Sequence, residues 1–84
     1  MARDQKYGEV TVSQDSPNRP LNGSDEPVFL LRGTDAATPD AIREYAAAAR
    51  EHGALSSLEA EALRAAQAIE TWQADYPERV KVPD

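Results

Sequence analysis

Cysteine is missing from this 84-residue sequence, so neither a disulfide framework nor a thiolate metal site can staple a small core together. Histidine occurs once, at His52, and without an H-x-x-H or H-E-x-x-H spacing it cannot gather the three or four ligands that zinc needs. Its position beside Gly53 suits the negative end of a helix instead. No uninterrupted apolar stretch approaches the roughly 20 residues that span a bilayer, and Met1-Ala2-Arg3-Asp4-Gln5-Lys6 has no apolar run behind its charges. These features predict a soluble, cytoplasmic protein that makes no membrane contact. The sequence contains no G-x-S-x-G, P-loop or G-x-G-x-x-G, and Gly8, Gly23, Gly33 and Gly53 stand alone as punctuation. Phosphate chemistry and a bound cofactor are therefore not expected.

Bulky apolar residues are scarce as well. Of the 34 hydrophobic residues 15 are alanine, leaving 19 larger side chains for a chain of 9.2 kDa. Such a chain forms one small domain at most, with a thin core that self-association or a partner would complete.

Charge is plentiful but one-sided: nine Lys and Arg against fifteen Asp and Glu give a net charge of -6 and a pI of about 4.6. The basic residues are scattered among carboxylates, so the net field repels phosphate and direct nucleic-acid binding is disfavoured. An acidic surface mimicking nucleic acid toward a basic protein is an alternative. Carboxylates doing acid–base chemistry need a pocket that separates their pKa values, and a core this thin leaves little room for one. Glu44, Glu51, Glu59, Glu61 and Glu70 are accordingly read as a solvated face, and the chain as no enzyme. Asn22-Gly23-Ser24 and Arg32-Gly33-Thr34-Asp35 are read as turns.

Residues 1–27 are polar and turn-rich and read as an N-terminal arm, flexible or ordered by a partner. Within it the alternation of Val10 and Val12 allows a short strand over 7–12. Residues 28–84 form the predicted domain. Val28-Phe29-Leu30-Leu31, bounded by Pro27 and Gly33, reads as a strand over about 28–32. Thr38-Pro39-Asp40 supplies an N-cap hydroxyl, a proline where no amide is needed and an acid at the positive end of the dipole. A helix over about 38–52 follows, ended by Gly53. Ser56 and Glu59 form a capping-box pattern for a second helix over about 57–75, stopped before Pro77. Its seam is Leu58, Ala62, Ala65, Ile69, Trp72 and Tyr76, spaced by threes and fours. The short link folds the helices into an antiparallel hairpin. Residues 79–82 alternate and are offered as a strand pairing with 28–31. The predicted fold is thus mainly α, a helical hairpin with short strand segments, a small α+β protein.

A two-helix hairpin cannot hide all of this apolar material. Leu63 packing beneath the Phe29 strand, with Trp72 in the core, is one expectation. A partner-contact surface centred on Phe29, Leu63, Trp72 and Tyr76 is the other, because aromatic anchors carry disproportionate interface energy.

The run Asp25-Glu26-Pro27-Val28-Phe29-Leu30-Leu31-Arg32, the hairpin, Trp72-Gln73 and Lys81-Val82-Pro83-Asp84 together resemble small proteins of unknown role encoded by phages of actinobacteria. The resemblance covers about two thirds of the chain, and the Ala/Arg/Asp/Glu bias fits a GC-rich genome. It implies a phage accessory protein that binds a host or defence factor in the host cytoplasm, or a virion component assembling through its N-terminal arm. It supplies no site residues.

Overall fold

The computed structural model describes residues 1–83. The chain divides into two compact units, Met1–Leu30 and the residues from Leu31 onward. The mainly α chain expected from the sequence, a helical hairpin accompanied by short strands, is the architecture observed. Among the described residues no helix is long and apolar enough to cross a membrane.

In the first unit β1 (Arg3–Asp4) and β2 (Gly8–Glu9) pair antiparallel, with Arg3 opposite Glu9 and Asp4 opposite Gly8. Gly8 has φ 86°, a left-handed angle open to glycine at little steric cost. The Asp4 carboxylate organises the unit. One oxygen accepts the amides of Lys6 (2.8 Å) and Tyr7 (2.9 Å), closing the turn, and the other accepts the Leu30 amide at 2.7 Å. Asp4 is only 3 % exposed, and Ala2 beside it is fully buried. A second side chain, Asn22, ties the long loop: its carbonyl oxygen accepts the Val12 amide (2.8 Å) and its amide donates to the Val12 carbonyl (2.9 Å). The segment read as a polar arm is thus, as far as Leu30, cross-linked by two polar side chains in place of an apolar core.

In the second unit α1 (Thr38–Glu51) and α2 (Ser56–Asp75) form the hairpin. The turn between them is a Schellman motif. Gly53, at φ 89°, donates to the Arg50 carbonyl, and Ala54 donates to the Ala49 carbonyl at 2.9 Å. The helices meet where side chains are smallest: Ala46 is 2 % exposed and Ala66 fully buried.

Local expectations need correction where tertiary partners intervene. The Thr38 hydroxyl does not cap α1. It donates to the Arg32 carbonyl at 2.7 Å, and Asp35 takes the helix start instead, accepting the Ala37 amide on its side chain and the Thr38 amide on its backbone. The Ser56–Glu59 capping box does not form either. The short link places Ser56 already inside α2, and Glu59 reaches Arg50 at 3.8 Å. The run 28–32 is not a ladder strand: the one parallel bridge there falls just before it, at Pro27 opposite Arg3. Pairing goes no further because the next amide on that side, Leu30, is taken by a carboxylate rather than a strand carbonyl. Over 7–12 the strand is confined to Gly8–Glu9, the Val10 amide donates to the Ala2 carbonyl at 2.9 Å, and Val12 is held by Asn22. In the 79–82 segment Pro77–Arg79 winds into a 3-10 turn, leaving one bridge, Lys81 opposite Asp35. Its partners are therefore Thr34 and Ala36 (2.7 and 2.8 Å), not residues 28–31.

The inward face of α2 is also turned from its expected seam. Ala65 is exposed and Ala66 buried, and Glu59, Ala62, Ile69, Glu70 and Gln73 lie along the half-buried stripe. Polar residues can face inward here because each finds a partner. Glu70 pairs with Arg43, and the Gln73 amide nitrogen donates to the carbonyls of Gly33 (3.0 Å) and Asp35 (2.8 Å). An amide that donates to two backbone carbonyls contributes to burial where a count of apolar residues sees only a gap.

Candidate interaction surface

Two differently built sides of the hairpin follow from its ion pairs. Arg43 on α1 meets Glu70 on α2 in a bidentate pair, with Nη1 at 2.9 Å from Oε2. The Glu70 hydrogen bonds raise the pKa of Arg43, and those from Arg43 lower that of Glu70. Arg43 also contacts Asp40 at 3.4 Å. Nearer the turn, Arg50 approaches Glu59 on the same side. Because each residue turns a helix by about 100°, Tyr45 and Trp72, each two positions beyond a member of the first pair, point about 200° away from it. The opposite side of the hairpin is therefore aromatic.

On that side Trp72 and Tyr76 sit one helical turn apart with ring centroids 5.5 Å apart and planes tilted by 39°. The Arg79 guanidinium lies 4.7 Å from the Trp72 ring centroid and 5.5 Å from that of Tyr76, a cation over two π faces. Pro77 makes this possible by ending α2 and starting the 3-10 turn that brings Arg79 back. Gly33 comes within 4.0 Å of the Trp72 ring, measured from where a Cβ would stand. Tyr76 stays 44 % exposed, and Tyr45 and Leu58 complete the apolar stripe as exposed residues.

Of the four residues expected to form a contact surface, the structure brings Trp72 and Tyr76 together. Leu63, 44 % exposed, lies nine positions before Trp72 on α2. That is half a turn around the helix, which places it on the ion-pair side. Phe29, 84 % exposed, belongs to the other unit. Sequence reading missed Arg79 and placed Leu58 in the seam of α2. The signal for Arg79 was present in a proline directly after Tyr76, which turns the next basic residue back. His52 is exposed at the end of α1. Among the described residues no group of three or more His, Cys, Asp or Glu is gathered as a metal site.

In the first unit an open cleft of about 520 Å³ is lined by Val12, Pro17, Asn18, Pro20, Leu21 and Glu26. Its walls are prolines, aliphatic side chains and a single carboxylate, with no pair of groups placed for acid–base or nucleophilic chemistry.

Comparison with protein-family models, with curated proteins and with solved structures returned no match.

Proposed function

We propose that this chain is a non-enzymatic interaction protein whose hairpin docks on a protein partner through its aromatic side, Tyr45, Leu58, Trp72 and Tyr76. The observation that carries the reading is the division of the hairpin: charges pair with one another on one side, while Tyr45 and Tyr76 remain exposed on the other. Exposed aromatics beside a stacked arginine are the residue types that dominate interface energies. The net charge of -6 favours a partner whose apolar groove has a basic rim. Following the resemblance to phage proteins, the proposed partner is a host or defence factor of an actinobacterium, met in the host cytoplasm.

The test is affinity capture of the tagged full-length chain from an actinobacterial lysate, run in parallel with Tyr45→Asp and Leu63→Asp. The reading expects one stoichiometric protein that Tyr45→Asp loses and Leu63→Asp keeps. Capture that is indifferent to Tyr45→Asp, or lost only with Leu63→Asp, sinks the aromatic side as the docking face.

A further inference from the structure

We infer that the Asn22–Gly23 peptide is a modification site: when the clasp between Asn22 and Val12 opens, the Gly23 nitrogen displaces the Asn22 side-chain amide as ammonia, and the altered side chain no longer completes the clasp. The inference concerns the first unit alone and is independent of the partner proposed for the hairpin.

The chemistry needs a backbone nitrogen free to attack the carbon that carries the side-chain amide, and Gly23 provides one. The amides on either side are engaged, Asn22 with the Arg19 carbonyl at 2.9 Å and Ser24 with the Leu21 carbonyl at 3.0 Å. The Gly23 amide makes no hydrogen bond among the described residues. Gly23 is exposed, and no atom lies within 4 Å of where its Cβ would stand, so its nitrogen is unobstructed. Asn18, the other asparagine, precedes a bulky residue whose amide is occupied: Arg19 donates to the Ser16 carbonyl at 3.1 Å. In the reaction the Gly23 nitrogen loses its proton to solvent hydroxide and bonds to Cγ of Asn22. The Cγ–Nδ2 bond breaks, and the side-chain nitrogen takes a proton from water and leaves as ammonia. Water then opens the five-membered succinimide at either ring carbonyl, to aspartate or isoaspartate.

The folded unit holds this reaction off. Oδ1 of Asn22 accepts the Val12 amide at 2.8 Å and Nδ2 donates to the Val12 carbonyl at 2.9 Å, which keeps the carboxamide against Val12. Ring closure brings Cβ and the following nitrogen nearly into eclipse, at ψ of about −120°, outside the α and β regions of an L residue. Asn22 stands at ψ 123°. Attack therefore waits for a local opening in which Val12 releases the side chain and the 22–23 peptide rotates. Gly23, at φ 77°, has no Cβ to hinder that rotation. Return is blocked, because aspartate sets a carboxylate oxygen against the Val12 carbonyl and isoaspartate carries the main chain through an extra methylene. The modification is a one-way release of the loop that Asn22 ties.

Ageing of the full chain at mildly alkaline pH, native and in concentrated guanidinium chloride, tests this by peptide mapping with mass spectrometry. The native chain should convert at Asn22 ahead of Asn18, about tenfold or more slowly than the denatured chain, the factor that two net hydrogen bonds impose. Asn22→Gln, whose longer side chain would have to close a six-membered ring, should stay unmodified at that position. The aged product, separated by the negative charge it gains, should exchange its Val12 amide at least about tenfold faster, with α1 and α2 unchanged. Equal rates in the native and denatured chains overturn the inference, as does a native chain unmodified after about a hundred half-lives of the denatured one. Conversion at Asn18 as fast as at Asn22 overturns the choice of site, and an aged chain that protects Val12 as well as the fresh one overturns the one-way release.

Discussion

Replacing Ala66 by leucine tests the rotation of α2 directly. Ala66 on α2 is fully buried, and the equally small Ala46 on α1 is 2 % exposed. Leucine adds three carbon atoms at a point with no exposed path, so α2 must move away from α1 or the new side chain must leave its preferred rotamers. Moving the helix draws Glu70, one turn further along the same face, from its 2.9 Å contact with Arg43. Overpacking of this kind costs about 1–3 kcal/mol, and at about 4–8 °C per kcal/mol for a domain of this size the midpoint should fall by about 4–24 °C. Ala65→Leu is the matched control. Ala65 is exposed, so the same substitution one position earlier should stay within about 0.5 kcal/mol of wild type. Thermal melts followed by helical circular dichroism, with Trp72 fluorescence as a second probe, read both variants. Apolar spacing alone predicts the reverse order, since it places Ala65 in the seam. A melt in which Ala65→Leu is the damaging change and Ala66→Leu is neutral refutes the orientation of α2, and with it the division of the hairpin into an ion-pair side and an aromatic side.

Acid should loosen both units. The Leu30, Tyr7 and Lys6 amides hold the Asp4 pKa below the usual carboxylate range, and Arg43 does the same for Glu70. A carboxylate depressed by folding adds stability above its unfolded pKa and loses it as pH falls through its folded one, so unfolding should set in below about pH 4. An acid titration of Asp4→Asn checks the assignment: its first unit should lose the Leu30 anchor at neutral pH and show little further change in acid. Gly53→Ala should cost about 1 kcal/mol, because a left-handed residue with a Cβ is disfavoured by about 1–2 kcal/mol and the stiffer unfolded chain returns part of that. No atom lies near that position, so the cost, read by urea denaturation, is backbone alone, and Gly33→Ala, at ordinary φ and 4.0 Å from Trp72, should be close to neutral. Asn22→Asp keeps the acceptor for the Val12 amide but sets a carboxylate oxygen against the Val12 carbonyl. Hydrogen exchange at Val12 should speed up while exchange in α1 and α2 stays unchanged.

The sequence by itself determined the two helices, their limits to within a residue or so, and the hairpin. Pro39, Gly53 and Pro77 act through backbone geometry that no distant contact can override, and the three-and-four spacing of apolar residues repeats through both helices. The Trp72–Tyr76 pair was legible for the same reason, being one helical turn apart. Helical arithmetic also separates Leu63 from Trp72, and only the hope of a single apolar surface joined them. Tertiary structure decided what depended on partners far along the chain. The Asp4 carboxylate meets an amide 26 residues away, Arg43 meets Glu70 across 27, and Gln73 reaches back 40 to the Gly33 carbonyl. These contacts stopped the 28–32 run from becoming a ladder, turned Glu70 and Gln73 inward and moved the buried alanine from 65 to 66. Local patterns count apolar side chains, whereas a polar side chain is buried or exposed according to whether a partner waits for it, and only the folded chain supplies that partner.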